Sequence, residues 1–168
     1  TGNSSALNAV DLSLDSMARG GIYDQLGGGF HRYSVDERWL APHFEKMLYD
    51  NALLVRVYLE AYQIQSRASY LQVVEETLGY VRRDLSDPAG GFYSAEDADS
   101  LKSPYAEKKT EGAFYIWEKA EIDTLLGNQA PLFNHVFGVE PDGNAPDGSD
   151  PHGELSGTNT LIRRFSNA

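Results

Sequence analysis

The candidate catalytic residues of this sequence are two histidines and three carboxylates. Four of them lie in the stretch 20–51, and the fifth lies in a later acidic segment. They are His31, Asp36, His43, Glu45 and Asp97. A neutral imidazole can exchange a proton near pH 7, which isomerisation beside a sugar carbonyl requires. Two carboxylates can instead hydrolyse a glycosidic bond, and their separation decides between retention and inversion.

Further side chains near these residues are candidates for binding a substrate. Aromatic faces pack against sugar rings, and charged groups bond to hydroxyls. These candidates are Arg32, Tyr33, Trp39, Lys46, Tyr49, Glu96 and Asp99. The glycines at 27–29 would let the backbone approach a ligand closely. The stretch has neither the Lys-Ser/Thr of a phosphate loop nor the dinucleotide pattern G-x-G-x-x-G.

Each of these candidates also has a structural interpretation. His31 could hold the glycine turn by bonding to its backbone, and Arg32 and Arg38 could form ion pairs that fix a loop. Asn51 interrupts an apolar helical stripe, so its amide either pins a neighbouring loop or faces a ligand. The acids at 96–99 would also suit a helix N-terminus.

We expect no metal and no cofactor. Asp97 and Asp99 superficially resemble a calcium loop, but Leu101 occupies its fifth position and no glycine follows. No His-x-x-x-His spacing suits zinc, and the chain has no cysteine. His135 is expected at the edge of the core, and His152 lies in a motif-like tail.

Helical elements are expected to position these residues. Apolar spacing predicts helices over 3–19, 43–66 and 69–85, with Pro42 at the first helical position of the second. Two short helices follow at 118–126 and 130–137, and 113–117 is expected to be a brief strand. The stretch 22–40 is expected to be an irregular glycine turn with a short hairpin near 30–34. The predicted fold class is all-α, built from αα-hairpins with short β pieces in loops.

Five motifs carry a resemblance to a known family. They are the stretch 20–51, GGFYSAEDADS at 90–100, EGAFYIW at 111–117, FGVEPDGN at 137–144 and HGELSGTNTL at 152–161. The chain resembles the thioredoxin-domain-containing family that includes mammalian spermatogenesis-associated protein 20. Members of that family pair a thioredoxin-like domain with an α/α toroid similar to six-hairpin glycosidases and N-acylglucosamine 2-epimerases.

The resemblance implies a partial toroid over 1–139 and a motif-bearing loop or disordered tail over 140–168. It implies a carbohydrate-active full-length protein, either a glycoside hydrolase or a sugar isomerase or epimerase. The alternative is a non-catalytic toroid that binds a ligand or partner beside a thioredoxin-like redox domain. Epimerase-like families carry key histidines in later hairpins, so this chain alone is expected to be inactive.

The net charge of the sequence argues against two classes of binding partner. The 168 residues carry a net charge of −11, which argues against nucleic acid and against anionic membrane surfaces. The resemblance implies a sugar-like small molecule and an upstream thioredoxin-like domain as partners, and the cytoplasm is the expected location. An incomplete toroid would leave an apolar edge exposed and would self-associate through it. The candidate residues are expected to converge on one rim of the hairpins.

Overall fold

The structure is a computed structural model, and it describes residues 3–146, 148–150 and 153–164. Its helices are α1 (Ser4–Arg19), α2 (Leu48–Gln65), α3 (Ala68–Asp84), α4 (Lys119–Leu126) and α5 (Ala130–Val136). Its strands are β1 (Tyr33–Ser34), β2 (Pro42–His43), β3 (Lys46–Met47), β4 (Ala95–Glu96), β5 (Asp99–Ser100), β6 (Thr110–Glu111), β7 (Ile116–Trp117) and β8 (Asn159–Thr160). The mainly helical class is therefore confirmed, whereas the toroid stays a prediction.

The long helices form where apolar periodicity predicts them. The side chain of Asn3 caps α1 by accepting a hydrogen bond from the Ala6 N–H at 3.2 Å. Ser66 ends α2 in the left-handed conformation, with φ of 56°. Only Ser66 and Arg67 separate α2 from α3, and the two helices pack against each other. This pairing matches the expected αα-hairpin.

The predicted start of the second helix at His43 is wrong, because α2 begins at Leu48. Pro42 and His43 pair instead with Ser34 and Tyr33 in an antiparallel ladder. Lys46 pairs in the same way with Glu96. These distant strands take the backbone hydrogen bonds that another helical turn would need, so tertiary pairing overrides the helical pattern.

The acidic segment does not begin a helix, so that structural interpretation of it is wrong. Ala95–Glu96 pairs with β3, and Asp99–Ser100 pairs with β6. Between the two strands, the Asp97 carboxylate accepts a hydrogen bond from the Asp99 N–H at 3.1 Å. The predicted strand at 113–117 is shorter than expected, since only Ile116–Trp117 pairs, with β8.

Three buried clusters hold these elements together. The largest packs α1, α2 and α3 around Tyr58 and Tyr70, with Phe30 from the glycine turn. A second surrounds Phe44, and a third joins Ile122 of α4 to Leu161. Apart from β8, the described residues after Glu140 form turns, bends and irregular segments, and Leu161 packs into the third cluster. His152 lies outside the described residues.

Part of the apolar surface of α2 is exposed to solvent. Leu53, Val57 and Ile64 are exposed at helical spacing. Self-association through such a surface stays a prediction. In the part of the chain that the structure describes, no helix has the length and hydropathy needed to cross a membrane.

Candidate functional site

A cavity of about 580 Å³ lies between the glycine turn, β3, the end of α3, β4 and the segment that leads into β7. Charged and aromatic side chains line it together. The polar ones include Asp24, His31, Lys46, Arg83, Glu96 and Glu121, and the aromatic ones are Tyr23, Phe114, Tyr115 and Trp117. Concave sites that combine apolar walls with a few polar groups are the usual form of a small-molecule site.

Glycine conformation and one amide set the shape of the turn beside this cavity. Gly28 and Gly29 have φ of 75° and 80°, a region that other residues rarely adopt. A Cβ on Gly29 would lie 2.4 Å from the Tyr80 ring. Asn51 accepts from the Phe30 N–H at 2.7 Å and donates to the Phe30 carbonyl at 3.1 Å. The interpretation that Asn51 pins a neighbouring loop is confirmed.

Lys46 is the central charge of the cavity, and only 1% of its side chain is exposed. Its ammonium donates to the Asp24 carboxylate at 2.8 Å and to the Gly28 carbonyl at 3.1 Å. It also lies 4.3 Å from the ring centre of Tyr80 and 4.7 Å from that of Tyr115. A carboxylate, a carbonyl and two aromatic faces together replace the water that burial removes.

Glu96 is held by two phenols. The hydroxyls of Tyr80 and Tyr115 each donate to one of its carboxylate oxygens, both at 2.8 Å. Burial and the Glu96 charge raise the pKa of both phenols above their usual value, so they stay protonated donors. The carboxylate is thereby fixed in orientation at the cavity wall.

Asp24 is the second carboxylate of the cavity. Burial opposes its ionisation, but the Lys46 charge and the N–H groups of Gly27 and Leu26 outweigh burial and lower its pKa. Those two N–H groups bond to its other oxygen at 2.9 and 3.0 Å. Asp24 is therefore an anion that orders the turn and neutralises Lys46.

His31 is buried and uncharged. Its Nδ1 lies 3.0 Å from the Phe44 carbonyl oxygen, which can only accept, so Nδ1 carries the proton. Its ring meets the rings of Phe44 and Tyr115 edge to face. Burial and the Lys46 charge lower the pKa of His31 to about 3. The imidazole is therefore neutral through the physiological range.

A second group of candidate residues lies on the surface, and we call it the surface cluster: Arg32, Tyr33, His43, Glu45, Tyr49 and Glu111. Arg32 donates to the Glu45 carboxylate at 2.7 Å, and bonds to Glu45 and Tyr49 raise the pKa of Arg32. His43 Nδ1 lies 2.5 Å from the Glu111 carboxylate. The Tyr33 ring stacks on His43 at a centroid distance of 5.0 Å.

The remaining candidates support loops. The Asp36 carboxylate accepts hydrogen bonds from the N–H groups of Arg38, Leu40 and Ala41. Trp39 has a positive φ of 63°, and its carbonyl accepts from the Gly21 N–H. Asp97 lies in the exposed turn between β4 and β5, and Asp99 is the first residue of β5. Of the residues predicted from the sequence, the cavity brings together His31, Lys46 and Glu96.

Sequence reasoning missed several residues of the cavity, among them Asp24, Tyr115 and Trp117. It also missed Tyr80, whose hydroxyl holds Glu96. Asp24 lies inside the glycine stretch, and Tyr115 and Trp117 lie inside the EGAFYIW motif, so both motifs held a usable signal. Tyr80 had none, because a tyrosine in α3 is indistinguishable by spacing from core packing. Among the described residues, no three His, Asp or Glu side chains come together in a way that could hold a metal ion.

The fold and cavity define a mainly helical domain with a concave site of polar and aromatic side chains. The chain is homologous to a segment of spermatogenesis-associated protein 20. It is 47% identical to the mouse protein over 164 residues, which cover 92% of this chain and 21% of that protein. The human protein is 45% identical with the same coverage. An uncharacterised protein of Caenorhabditis elegans is 47% identical over 161 residues, covering 90% of this chain and 22% of that protein.

The chain thus spans about a fifth of the length of the curated relatives that it matches. No protein-family model matches it. Among solved structures, it is similar to a D-mannose isomerase, with a TM-score of 0.46, 14% sequence identity, and coverage of 80% of this chain and 36% of that one.

Proposed function

We propose that the cavity binds a sugar-like, polyhydroxylated small molecule, and that the full-length protein is carbohydrate-active. One observation carries this proposal: Asp24, Lys46 and Glu96 line the same cavity as several aromatic side chains. Carboxylates accept hydrogen bonds from sugar hydroxyls, and the faces of Trp117 and Phe114 suit the apolar side of a sugar ring. The resemblance of the motifs to a toroid-containing family points in the same direction.

Within this proposal Glu96 is the group that would accept a proton or a hydroxyl hydrogen bond. Tyr80 and Tyr115 fix its orientation, and its carboxylate carries no ion pair among the described residues. Asp24 is already committed to Lys46 and to backbone N–H groups. His31, with a pKa of about 3, would act as a neutral hydrogen-bonding group and not as the base at pH 7.

Two reaction classes fit these groups. A sugar isomerase moves a proton from one carbon to the next beside a carbonyl, and an epimerase removes and returns a proton at one such carbon. One carboxylate base suffices for this proton transfer. A glycoside hydrolase needs a second carboxyl group at a defined separation. Residues from the rest of the longer protein would complete either site.

The test is calorimetric titration of the full-length protein with mannose, glucose and N-acetylglucosamine. We expect Glu96→Gln to weaken binding of the preferred sugar at least tenfold, because an amide replaces an anionic acceptor. Glu111→Gln removes the same charge from the surface cluster and should leave the affinity unchanged. Absence of sugar binding, or equal losses in the two variants, would contradict the proposal.

A second candidate function is non-catalytic binding of a ligand beside a thioredoxin-like redox domain. The contacts of His31 favour it: its Nδ1 bonds to the Phe44 carbonyl and its ring packs against Phe44 and Tyr115, so this histidine has a structural role. Transfer of solvent deuterium into a bound sugar would indicate isomerisation, and release of new reducing ends would indicate hydrolysis. Binding without either product would favour the non-catalytic alternative.

A further inference from the structure

We propose a second ligand site in this chain, which takes a small molecule carrying a phosphate or carboxylate group. It lies in a separate cavity of about 300 Å³ between the end of α1, the start of α3 and the segment after β8. Three arginines line it, namely Arg19, Arg67 and Arg163. We call this group the arginine cavity.

The charge of the arginine cavity runs against that of the whole chain. The sequence has 14 basic and 25 acidic residues, so a surface concavity drawn at random would be expected to hold more acids than bases. This cavity holds the three arginines with only two acids, Asp15 and Glu76. Its local charge is therefore positive in a protein of strongly negative charge, which favours an anionic occupant.

One of the three arginines is already neutralised. The Arg67 guanidinium donates to both carboxylate oxygens of Asp15, at 2.8 and 2.9 Å, and to the Tyr70 hydroxyl at 2.7 Å. Such a bidentate pair satisfies most of the guanidinium's donors. Arg67 and Asp15 therefore form a fixed wall and leave the other two arginines to provide the uncompensated charge.

Arg19 and Arg163 have no carboxylate within ion-pair distance among the described residues. Arg19 Nε donates to the Asp15 backbone carbonyl at 3.2 Å, which is a neutral acceptor. The Arg163 N–H donates to the Arg19 carbonyl at 2.8 Å, and this bond holds the two residues side by side. Because that bond uses only the main chain, the Arg163 guanidinium and the two terminal nitrogens of the Arg19 guanidinium remain available to a ligand.

Within the described part of the chain, Glu76 forms no ion pair with Arg19 or Arg163. Its carboxylate accepts from the Tyr23 hydroxyl at 2.6 Å and from the Gln72 amide at 2.6 Å, both of them neutral donors. Burial and Glu76 raise the pKa of Tyr23, and the nearby Arg163 charge opposes that rise. Two arginines facing one acid leave about one positive charge, which matches a single oxyanion group. Planar guanidinium groups bind such groups in bidentate fashion.

The test uses the protein itself and inorganic phosphate, followed by ³¹P NMR and by calorimetry at low chloride. We expect saturable binding that weakens at least tenfold in the double variant Arg19→Gln/Arg163→Gln. The control is Arg56→Gln/Arg82→Gln, which removes the same net charge from exposed positions on α2 and α3 and should bind phosphate as the wild type does. Arg19→Lys/Arg163→Lys, which keeps the charge but loses the planar fork, should fall between the two.

Acetate and methyl phosphate, titrated in the same way, separate carboxylate ligands from phosphate ligands. Saturable binding of at least one of the three anions that depends on Arg19 and Arg163 supports the proposal. No binding of any of them, or equal weakening in the exposed control, overturns it. Unchanged melting temperatures in the double variant would show that a loss of binding does not come from unfolding.

Discussion

The cavity and the surface cluster contain ion pairs of nearly equal length in opposite environments. Lys46 and Asp24 are 2.8 Å apart, with side chains 1% and 13% exposed. Arg32 and Glu45 are 2.7 Å apart, with side chains 42% and 25% exposed. The two pairs therefore differ in their exposure to water and not in their length. A buried charge that loses its partner cannot be resolvated, whereas an exposed one can.

The largest effect is expected at Asp24. Asp24→Asn keeps the shape of the side chain and its backbone hydrogen bonds but leaves the Lys46 ammonium buried without a counter-charge. We expect the free energy of unfolding to fall by about 3–5 kcal/mol, measured by urea denaturation. The double variant Asp24→Asn/Lys46→Met should recover a large part of that loss. A loss that persists undiminished in the double variant would mean that the ion pair is not its source.

The phenols around Glu96 should give the next largest effect. Tyr115→Phe removes one hydrogen bond to the half-buried Glu96 carboxylate and is expected to cost about 1.5–3 kcal/mol in unfolding free energy. Tyr33→Phe is the matched change in the surface cluster, where the ring stacks on His43. We expect that variant to unfold at the wild-type urea concentration. Similar losses in both variants would remove the contrast between the two regions.

Acid should destabilise the protein through His31. Its folded pKa of about 3 lies below the ordinary histidine pKa of 6.5, so between these values the unfolded chain binds a proton that the folded one does not. Stability from this group is complete above pH 6.5 and falls as the pH drops, with a limiting slope of about 1.4 kcal/mol per pH unit.

Stability curves from pH 7 to pH 4 would measure this dependence. His31→Gln should remove the contribution, and His43→Gln in the surface cluster should preserve it. NMR titration offers an independent check, since the His31 ring should show no protonation at pH 5. A His31 ring that titrates near pH 6 would disprove the burial argument.

The smallest effect is expected in the surface cluster. Arg32→Gln breaks the exposed pair with Glu45, but water solvates the carboxylate that remains. We expect the midpoint of urea unfolding to stay within experimental error of the wild type. A clear loss of stability in this variant would show that surface ion pairs contribute more here than their exposure suggests.

The sequence predicts the helices of this fold better than the site that they support. Period 3.6 in the apolar residues locates α1 and α3 to within a residue or two, because no pairing with a distant strand interrupts either helix. It fails at His43–Met47, where pairing with Tyr33 and with Glu96 replaces helical hydrogen bonds. That pairing is invisible to local patterns, since the partners of Lys46 and Met47 lie about fifty residues away.

The same limit applies to the candidate site. Residue types correctly drew attention to His31, Lys46 and Glu96, but composition could not distinguish these from their neighbours at positions 32, 43 and 45. Alternation along this short extended segment sends Lys46 into the cavity and Glu45 to the surface. The inward or outward choice depends on a register that only the folded chain defines.

The ladder between Lys46 and Glu96 also has a consequence for local opening. It joins the residues just before α2 to the residues soon after α3 and so links the two ends of the helical hairpin. We call this link the clasp. Beside it, the Leu48 N–H donates to the Ser94 carbonyl at 2.9 Å. Lys46 and Glu96 can line one cavity only while this clasp is shut. Occupancy of the cavity and hydrogen exchange at the Leu48 amide are therefore coupled, and a bound ligand should slow that exchange without touching Leu48 itself.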